Sequence, residues 1–380
     1  MTDVLVFLPS SGLGGCEHYA ELVTRHLRMR NPEICLAVPR LPSLREWVSS
    51  IRSRQIRVLC YPPGERGADG FPDAVHQERA ARTVVDSCAP DLVIAILPWP
   101  LAGTGIESVI ADDQLPSVAV FQLFCRRLQL APSLRARYLR AWEGGQVWVT
   151  VSADNRRSIA ASFGVPTASI TVVPNGTELM PQNEVSDHSR EVARARLAID
   201  PESWILLTIA RLTDVKRVGL ILEAVAMLPD NIRSRATLFV VGDGEQGDDL
   251  RTRAASLDLR DQVRFTGHVL DPHNYLLAAD VFVTASCCEG LAFSTLEAMA
   301  RGLPVIASSD SSHRELVRDG TDGLLFLGDA PEALAHALRR MWASPDSHRM
   351  GQSGRGRISA SYSRSSMLSG LDRAIAEAMK

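Results

Sequence analysis

Lysine is nearly absent from this chain of 380 residues: of 41 basic side chains, only Lys216 and Lys380 are lysine. An internal lysine in so arginine-rich a chain marks either a place that uses a compact, flexible ammonium instead of a planar fork, or chance retention on the surface. Any Cys-x-x-Cys pair is missing too. The seven cysteines (Cys16, Cys35, Cys60, Cys88, Cys125, Cys287, Cys288) are odd in number and scattered, which excludes a disulfide framework and reads as reduced core thiols. No apolar run reaches the roughly 18 residues of a membrane-crossing helix, and Asp3 leads into apolar sequence without a basic leader region. A cytoplasmic protein is expected. The net charge of -3 gives no global pull toward nucleic acid, so any anionic ligand must be met by local cations.

What is present reads as α/β. The apolar share of 46% and charged share of 22% are those of a soluble globular protein, and the length exceeds what one core usually organises. Short apolar runs near 4–8, 34–38, 56–60, 92–97, 117–121 and 147–151 alternate with amphipathic stretches, the pattern of a parallel sheet covered on both faces. The alternation restarts with runs at 205–210, 237–241, 263–265, 281–285, 304–307 and 323–326. The expected organisation is a Rossmann-like domain over 1–180, a linker over 181–200, a second Rossmann-like domain over 201–362, and a helix over 363–380 packing back toward the first domain. The tail reads as helices over 331–343 and 365–379 with a Gly/Ser-rich break between them, and Asn175-Gly176-Thr177 reads as a turn. Two doubly wound domains facing across a cleft would suit a reaction joining two substrates, since ligands bind beyond the carboxyl ends of parallel strands.

The first strand-to-helix loop reads Ser11-Gly12-Leu13-Gly14-Gly15-Cys16-Glu17. Its glycines let main chain approach a ligand and the helix N-terminus favours phosphate, although a tight turn wants glycine anyway. A dinucleotide site would place an acidic residue at the end of the second strand. That strand ends Val38-Pro39-Arg40, which counts against NAD. In the second half, Arg211 and Lys216 follow the end of a strand and could place two cations on one diphosphate. Gly242-Asp243-Gly244 enters a turn that either admits a ligand or is simple turn chemistry.

The stretch from Ser286 to Ala300 says most. Glu289 and Gly290 sit in a loop, a helix is expected to begin around Leu291, Ala292 and Phe293, and Glu297 falls in its second turn. Amides at that helix start can hold phosphate, while two flanking carboxylates can accept hydrogen bonds from sugar hydroxyls.

On these residues the chain resembles the family 4 retaining glycosyltransferases, of GT-B architecture, over most of its length. Glu289 and Glu297 reproduce the family's Glu-x7-Glu signature, followed by Ala298-Met299-Ala300-Arg301-Gly302-Leu303-Pro304-Val305-Ile306-Ala307. Arg211 and Lys216 match its Arg-x4-Lys pair, and Gly14-Gly15, Val172-Val173-Pro174-Asn175-Gly176 and Gly242-Asp243-Gly244 match in order. The resemblance implies a hexosyltransferase using a UDP- or GDP-sugar and a glycan, lipid-linked or small-molecule acceptor, without nucleic acid. Glu289 would contact the donor sugar, Glu297 the ribose, and Arg211 with Lys216 the diphosphate. Gly14, Gly15, Gly242, Gly290, Leu291, Ala292 and Phe293 would contact the nucleotide-sugar. It implies retention of anomeric configuration, no cofactor and no required metal, since the two cations replace Mg²⁺. An epimerase or hydrolase of nucleotide sugars, or a non-catalytic nucleotide-sugar-binding partner, are the alternatives.

Two departures stand out. No histidine follows the run Val118-Ala119-Val120-Phe121-Gln122-Leu123-Phe124, where many relatives have one, and Gln122 is the candidate replacement. The family's glycine pair before a late glutamate is replaced by Ser311-Ser312-His313-Arg314-Glu315. Finally, Arg126, Arg127, Arg135, Arg137 and Arg140 interleave with Leu128, Leu130, Leu134 and Leu139, either a solvated helix face or a peripheral contact with anionic lipid at the inner face of the membrane.

Overall fold

The structure is a computed structural model that describes residues 3–31, 33–64, 73–125, 128 and 130–380. The chain divides into two compact units: Met1–Asn175 with Met367–Lys380, and Gly176–Ser366. Seven strands build the first unit's sheet among the described residues: β1 (Val4–Phe7), β2 (Ile34–Pro39), β3 (Arg57–Tyr61), β4 (Leu92–Leu97), β5 (Ser117–Phe121), β6 (Val147–Thr150) and β7 (Ile170–Val172). They run parallel in the order β3-β2-β1-β4-β5-β6-β7. Every residue of β1, β2, β4 and β5 is buried, which is why these strands are continuous apolar runs rather than alternating ones. The order reverses between β1 and β4.

On one face of this sheet Phe121, Tyr138, Trp148 and Phe163 form an aromatic cluster, with Trp148 edge-on to Phe163 at 5.0 Å between ring centres. Such pairs contribute about 0.5–1.5 kcal/mol each beyond their buried area. The helix Arg364–Ala378 reaches this unit from Met367 onward. There Asp372 pairs with His26 Nε2 at 2.9 Å and with Arg30 at 2.6 Å.

Six parallel strands form the second unit's sheet among the described residues: β8 (Trp204–Ile209), β9 (Ala236–Val241), β10 (Val263–Gly267), β11 (Val281–Thr284), β12 (Val305–Ser308) and β13 (Gly323–Phe326). Their order is β10-β9-β8-β11-β12-β13, with the reversal between β8 and β11. Both units are thus doubly wound α/β sheets. Upstream of β8, the helix Asp187–Arg196 is tied to this sheet by Arg190 and by Arg194, which donates to Asp280 at 2.7 Å.

Three local expectations are corrected. The Gly/Ser-rich stretch after residue 343 is no break: Ser347–Ser361 is a helix. Its Gly351 lies so close to the neighbouring segment that an added Cβ would meet Gly302 O at 1.8 Å, so glycine serves helix packing there. The sequence Asn175-Gly176-Thr177 is no free turn either, because Thr177 forms a parallel bridge to Ser363 and donates its amide to Tyr362 O at 3.0 Å. The short strand β7 was not anticipated, being three residues that run straight into a proline-containing segment.

Within the basic stretch, Pro132–Glu143 is an amphipathic helix. Arg135 donates to Phe163 O at 2.7 Å, Arg137 to Glu78 at 2.9 Å and Arg140 to Asp112 at 3.1 Å. Leu128, Leu130, Leu134 and Leu139 pack on the core of the unit. Arg126 and Arg127 lie outside the described residues. Among the described residues no helix is long and apolar enough to cross a membrane, and the seven cysteines form no disulfide.

Candidate active site

At the carboxyl edge of the second sheet, β8 leads into Ala210-Arg211-Leu212. Neighbouring main chain holds this segment: Ala210 N donates to Val241 O at 3.0 Å and Leu212 N to Asp243 O at 2.9 Å. The turn after β9 can close over it only because Gly242 has a φ of 136° and no Cβ, which would stand 2.0 Å from Ala210 O. This close approach to Ala210 fixes the main chain that carries Arg211.

A single turn, Asp214–Lys216, follows and brings Lys216 to the loop beyond β11. Cys287 N donates to Val215 O at 2.9 Å, which locks the two loops together. Lys216 Nζ donates to Glu289 Oε1, joining two residues 73 positions apart in sequence. Burial pushes the Glu289 carboxyl up, but the Lys216 ammonium and a hydrogen bond from Ser286 outweigh it and hold the group below the usual carboxylate range. Ser312 Oγ donates to Glu289 O at 2.9 Å, so the serine loop that departs from the family pattern supports this glutamate from behind. Its neighbour His313 is fully buried, shares a 2.8 Å hydrogen bond between Nδ1 and Ser311 Oγ, and is pushed by burial down to a pKa of about 4. The imidazole is therefore neutral near pH 7.

Gly290, Leu291 and Ala292 lead into the helix Phe293–Ala300, two residues later than the earliest expected start. Its N-cap is Ala292, which offers no side-chain acceptor to the first-turn amides. Glu297 lies in the second turn. Burial raises its carboxyl above the ordinary value, with Arg301 opposing the shift.

Sequence reasoning missed Arg217, which follows Lys216 with a φ of 49°. Its guanidinium donates to Ala285 O at 2.6 Å, to Ser308 Oγ at 2.9 Å and to Asp310 at 2.9 Å, and pairs with Asp329. One side chain thus joins the loops beyond β11, β12 and β13. In a chain where arginine is the default cation nothing marked it in advance.

The remaining sequence candidates lie in the first unit. Gly14 is the N-cap of the helix Gly15–Arg28, and Glu17 in the first turn accepts the Ser10 hydroxyl while only 3% exposed. A carboxylate from the chain itself therefore complements that helix N-terminus. Gln122, beyond β5, accepts at Oε1 from Asn175 Nδ2 at 3.2 Å, whereas its Nε2 is buried without a hydrogen-bond partner. Among the described residues no group of three or more His, Cys, Asp or Glu is placed to hold a metal ion.

Comparison with known proteins places this geometry. Residues 13–180 match the family described as Glycosyltransferase Family 4, and residues 189–357 match Glycosyl transferases group 1. The chain belongs to the family 4 glycosyltransferases. A D-inositol 3-phosphate glycosyltransferase of Geodermatophilus obscurus is 34% identical over 205 residues, which cover 51% of this chain and 45% of the relative. The chain thus spans under half the length of that relative. A Mycobacterium tuberculosis GDP-mannose-dependent alpha-(1-6)-phosphatidylinositol monomannoside mannosyltransferase is 28% identical over 348 residues, 82% of this chain and 87% of the relative. Among solved structures, Anabaena Alr3699/HepE in complex with UDP and glucose superposes with a TM-score of 0.78 at 18% identity, covering 98% of this chain and 99% of that one. That likeness establishes the GT-B fold.

Proposed function

We propose that the protein is a retaining hexosyltransferase, which moves a hexosyl group from a UDP- or GDP-sugar bound by the second unit to a hydroxyl of a glycan, glycolipid or small-molecule acceptor. The observation that carries the reading is the Lys216–Glu289 pair, a cation and an ionised carboxylate held together beside the helix N-terminus at Phe293. Transfer breaks the bond between the anomeric carbon and the diphosphate oxygen and forms the bond to the acceptor oxygen on the same face. The acceptor hydroxyl gives its proton to the departing phosphate oxygen. Arg211, Lys216 and the first-turn amides of the helix from Phe293 take up the charge that develops on the diphosphate. In this reading those cations serve in place of a metal ion. Glu289, kept ionised by Lys216, accepts from donor-sugar hydroxyls, Glu297 accepts from the ribose, and Gly290, Leu291 and Ala292 offer main chain. Gly14 and Gly15 offer main chain in the first unit.

The GDP-mannose and inositol-phosphate relatives support the donor and acceptor classes, and family membership supports retention. The reading puts the protein in the cytoplasm. The reading includes peripheral contact with anionic lipid at the inner face of the membrane through the basic stretch that holds Arg135, Arg137 and Arg140. The test is isothermal titration of the purified protein with UDP, GDP and their common hexose conjugates, in parallel with Glu297→Ala. Binding of one nucleotide series, weakened at least tenfold in the variant, supports the donor site; no binding of either series removes it.

A further inference from the structure

Two partners compete for one ammonium in the second unit. Lys216 Nζ donates to Glu289 in the structure, and the diphosphate of a donor would need the same group. A donor that draws Lys216 away leaves Glu289 a buried carboxylate without its cation, and stripping one partner from such a pair is strongly unfavourable. A second source of positive charge beside Glu289 would remove that penalty. His313 is placed to be that source. Ser312 Oγ donates to Glu289 O at 2.9 Å, which sets the short helix His313–Leu316 against the glutamate loop. The imidazole is fully buried, and Nδ1 shares a 2.8 Å hydrogen bond with Ser311 Oγ. Nε2 is buried with no hydrogen-bond partner among the described residues. An orphaned buried ring nitrogen is costly, and in the protonated ring both nitrogens are donors.

The charges around this ring come from four loops. Burial keeps it neutral, Glu289 and the Ser308 carbonyl favour a proton on it, and Lys216 and Arg217 oppose one. Arg217 is committed to Ala285 O, Ser308, Asp310 and Asp329, so its charge is not free to serve Glu289. On the ring's own helix Arg314 is exposed and Glu315 half-buried, and Arg357 reaches Glu315 O at 2.7 Å. Lys216 is thus the charge that a donor would change, and both its neutralisation and the arrival of a diphosphate favour the imidazolium. We propose that His313 takes up a proton from solvent when the donor binds and replaces Lys216 as the counter-charge of Glu289, returning the proton when the nucleotide leaves. His313 is then a positioning residue for the carboxylate that faces the donor sugar. The inference rests on the transferase reading, because it needs a diphosphate to draw Lys216 away. A unit charge about 6 Å away alters proton affinity by about ten- to a hundredfold. With a pKa of about 4 the free ring is about 1% protonated at pH 6, and a hundredfold gain takes it to about half.

The experiment is isothermal titration of the full chain at pH 6 with UDP-glucose and with GDP-mannose, repeated in cacodylate, MES and Bis-Tris. The dependence of the heat on the buffer's own ionisation enthalpy gives the protons exchanged per donor bound. Nucleotide sugars are used because an esterified diphosphate, unlike a terminal phosphate, does not titrate near neutral pH. Two variants accompany the parent: His313→Asn can keep the bond to Ser311, His313→Gln reaches toward the place of Nε2, and neither side chain titrates. Any proton that Glu297 exchanges is common to all three proteins and cancels in the comparison. The expected result is that the parent takes up about half a proton more per donor than either variant at pH 6, and that the difference vanishes at pH 8. Equal proton exchange in parent and variants at pH 6 overturns the inference while leaving the donor site standing, as does a difference that is no smaller at pH 8. No binding of either nucleotide sugar removes the donor reading, and this inference with it.

Discussion

Replacing Lys216 with methionine keeps the apolar stem and deletes the ammonium, and the outcome separates two roles that the ion pair combines. The side chains of Lys216 and Glu289 are 23% and 10% exposed, between a surface pair and a fully buried one. Removing one partner of a buried pair costs about 3–5 kcal/mol and of an exposed pair under about 1 kcal/mol, so a stability loss of about 1–3 kcal/mol is expected here. A hydrogen bond to a charged group is worth about 1.5–3 kcal/mol, so the affinity for the preferred nucleoside diphosphate should fall about ten- to a hundredfold in Lys216→Met. Glu289→Gln should behave differently. It frees Lys216 from its partner, so nucleotide affinity holds or tightens a few-fold, while turnover drops about a hundredfold with the loss of the carboxylate facing the sugar. Isothermal titration gives the affinities and a coupled assay of nucleotide release gives turnover. Equal weakening of nucleotide binding in both variants would refute the assignment of Lys216 to the diphosphate, as would unchanged affinity in Lys216→Met.

Other consequences follow from named groups. Glu107 is fully buried in the first unit, and burial pushes its carboxyl up to about 8. The folded protein then holds a proton that an unfolded chain with a carboxyl near 4.5 releases, so stability falls as pH rises between those values, by at most a few kcal/mol. Glu107→Gln should flatten that slope and raise the melting temperature at pH 8 relative to the parent; melting curves that shift in parallel with pH in both proteins contradict this. Gly242→Ala places a Cβ 2.0 Å from Ala210 O and should cost about 2–4 kcal/mol in denaturant unfolding, with nucleotide affinity falling as the Arg211 segment shifts. An unchanged unfolding midpoint would show that the turn relaxes freely. Because Glu297 is raised and Glu289 lowered, nucleotide affinity should fall at a higher pH on acidification than turnover at saturating nucleotide does. Coincident acid limbs would break the separate assignment of the two glutamates.

The sheets were legible because parallel strands buried on both faces must be apolar runs, and such runs stand out between polar helices. β4 and β5 begin and end where the apolar runs do. Legibility failed where a residue type served tertiary contact instead of local propensity. The helix Ser347–Ser361 carries several glycines, which sequence reasoning treats as breakers. Gly351 earns its place only through close approach to Gly302, a partner distant in sequence. Thr177 is similar: a bridge to Ser363 cannot be seen from a short Asn-Gly-Thr segment.

For the site, the residue types and their order were readable, but their electrostatic state was not. Glu289 and Glu297 are one signature eight residues apart, and nothing in the sequence distinguishes their acidity. The structure separates them by what surrounds each. Glu289 lies in a loop whose own Ser286 bonds its carboxyl and which receives Lys216 from the segment after β8, so it is ionised before any ligand arrives, while Ser312 holds its main-chain carbonyl. Glu297 sits on a helix where burial dominates and Arg301 opposes it only in part, so its ionisation is costlier and more open to a neighbour's influence. Arrays fixed in advance stabilise developing charge without reorganisation, which suits the carboxylate assigned to the reacting sugar. A carboxylate that gains most from new hydrogen bonds suits the one assigned to hold the nucleotide, because donors from the ligand then favour its charged form. The same argument explains Arg217: its contacts with Ala285, Ser308 and Asp310 fix the loops that present Glu289, so the geometry around the reacting sugar is held by a residue assigned no contact with it.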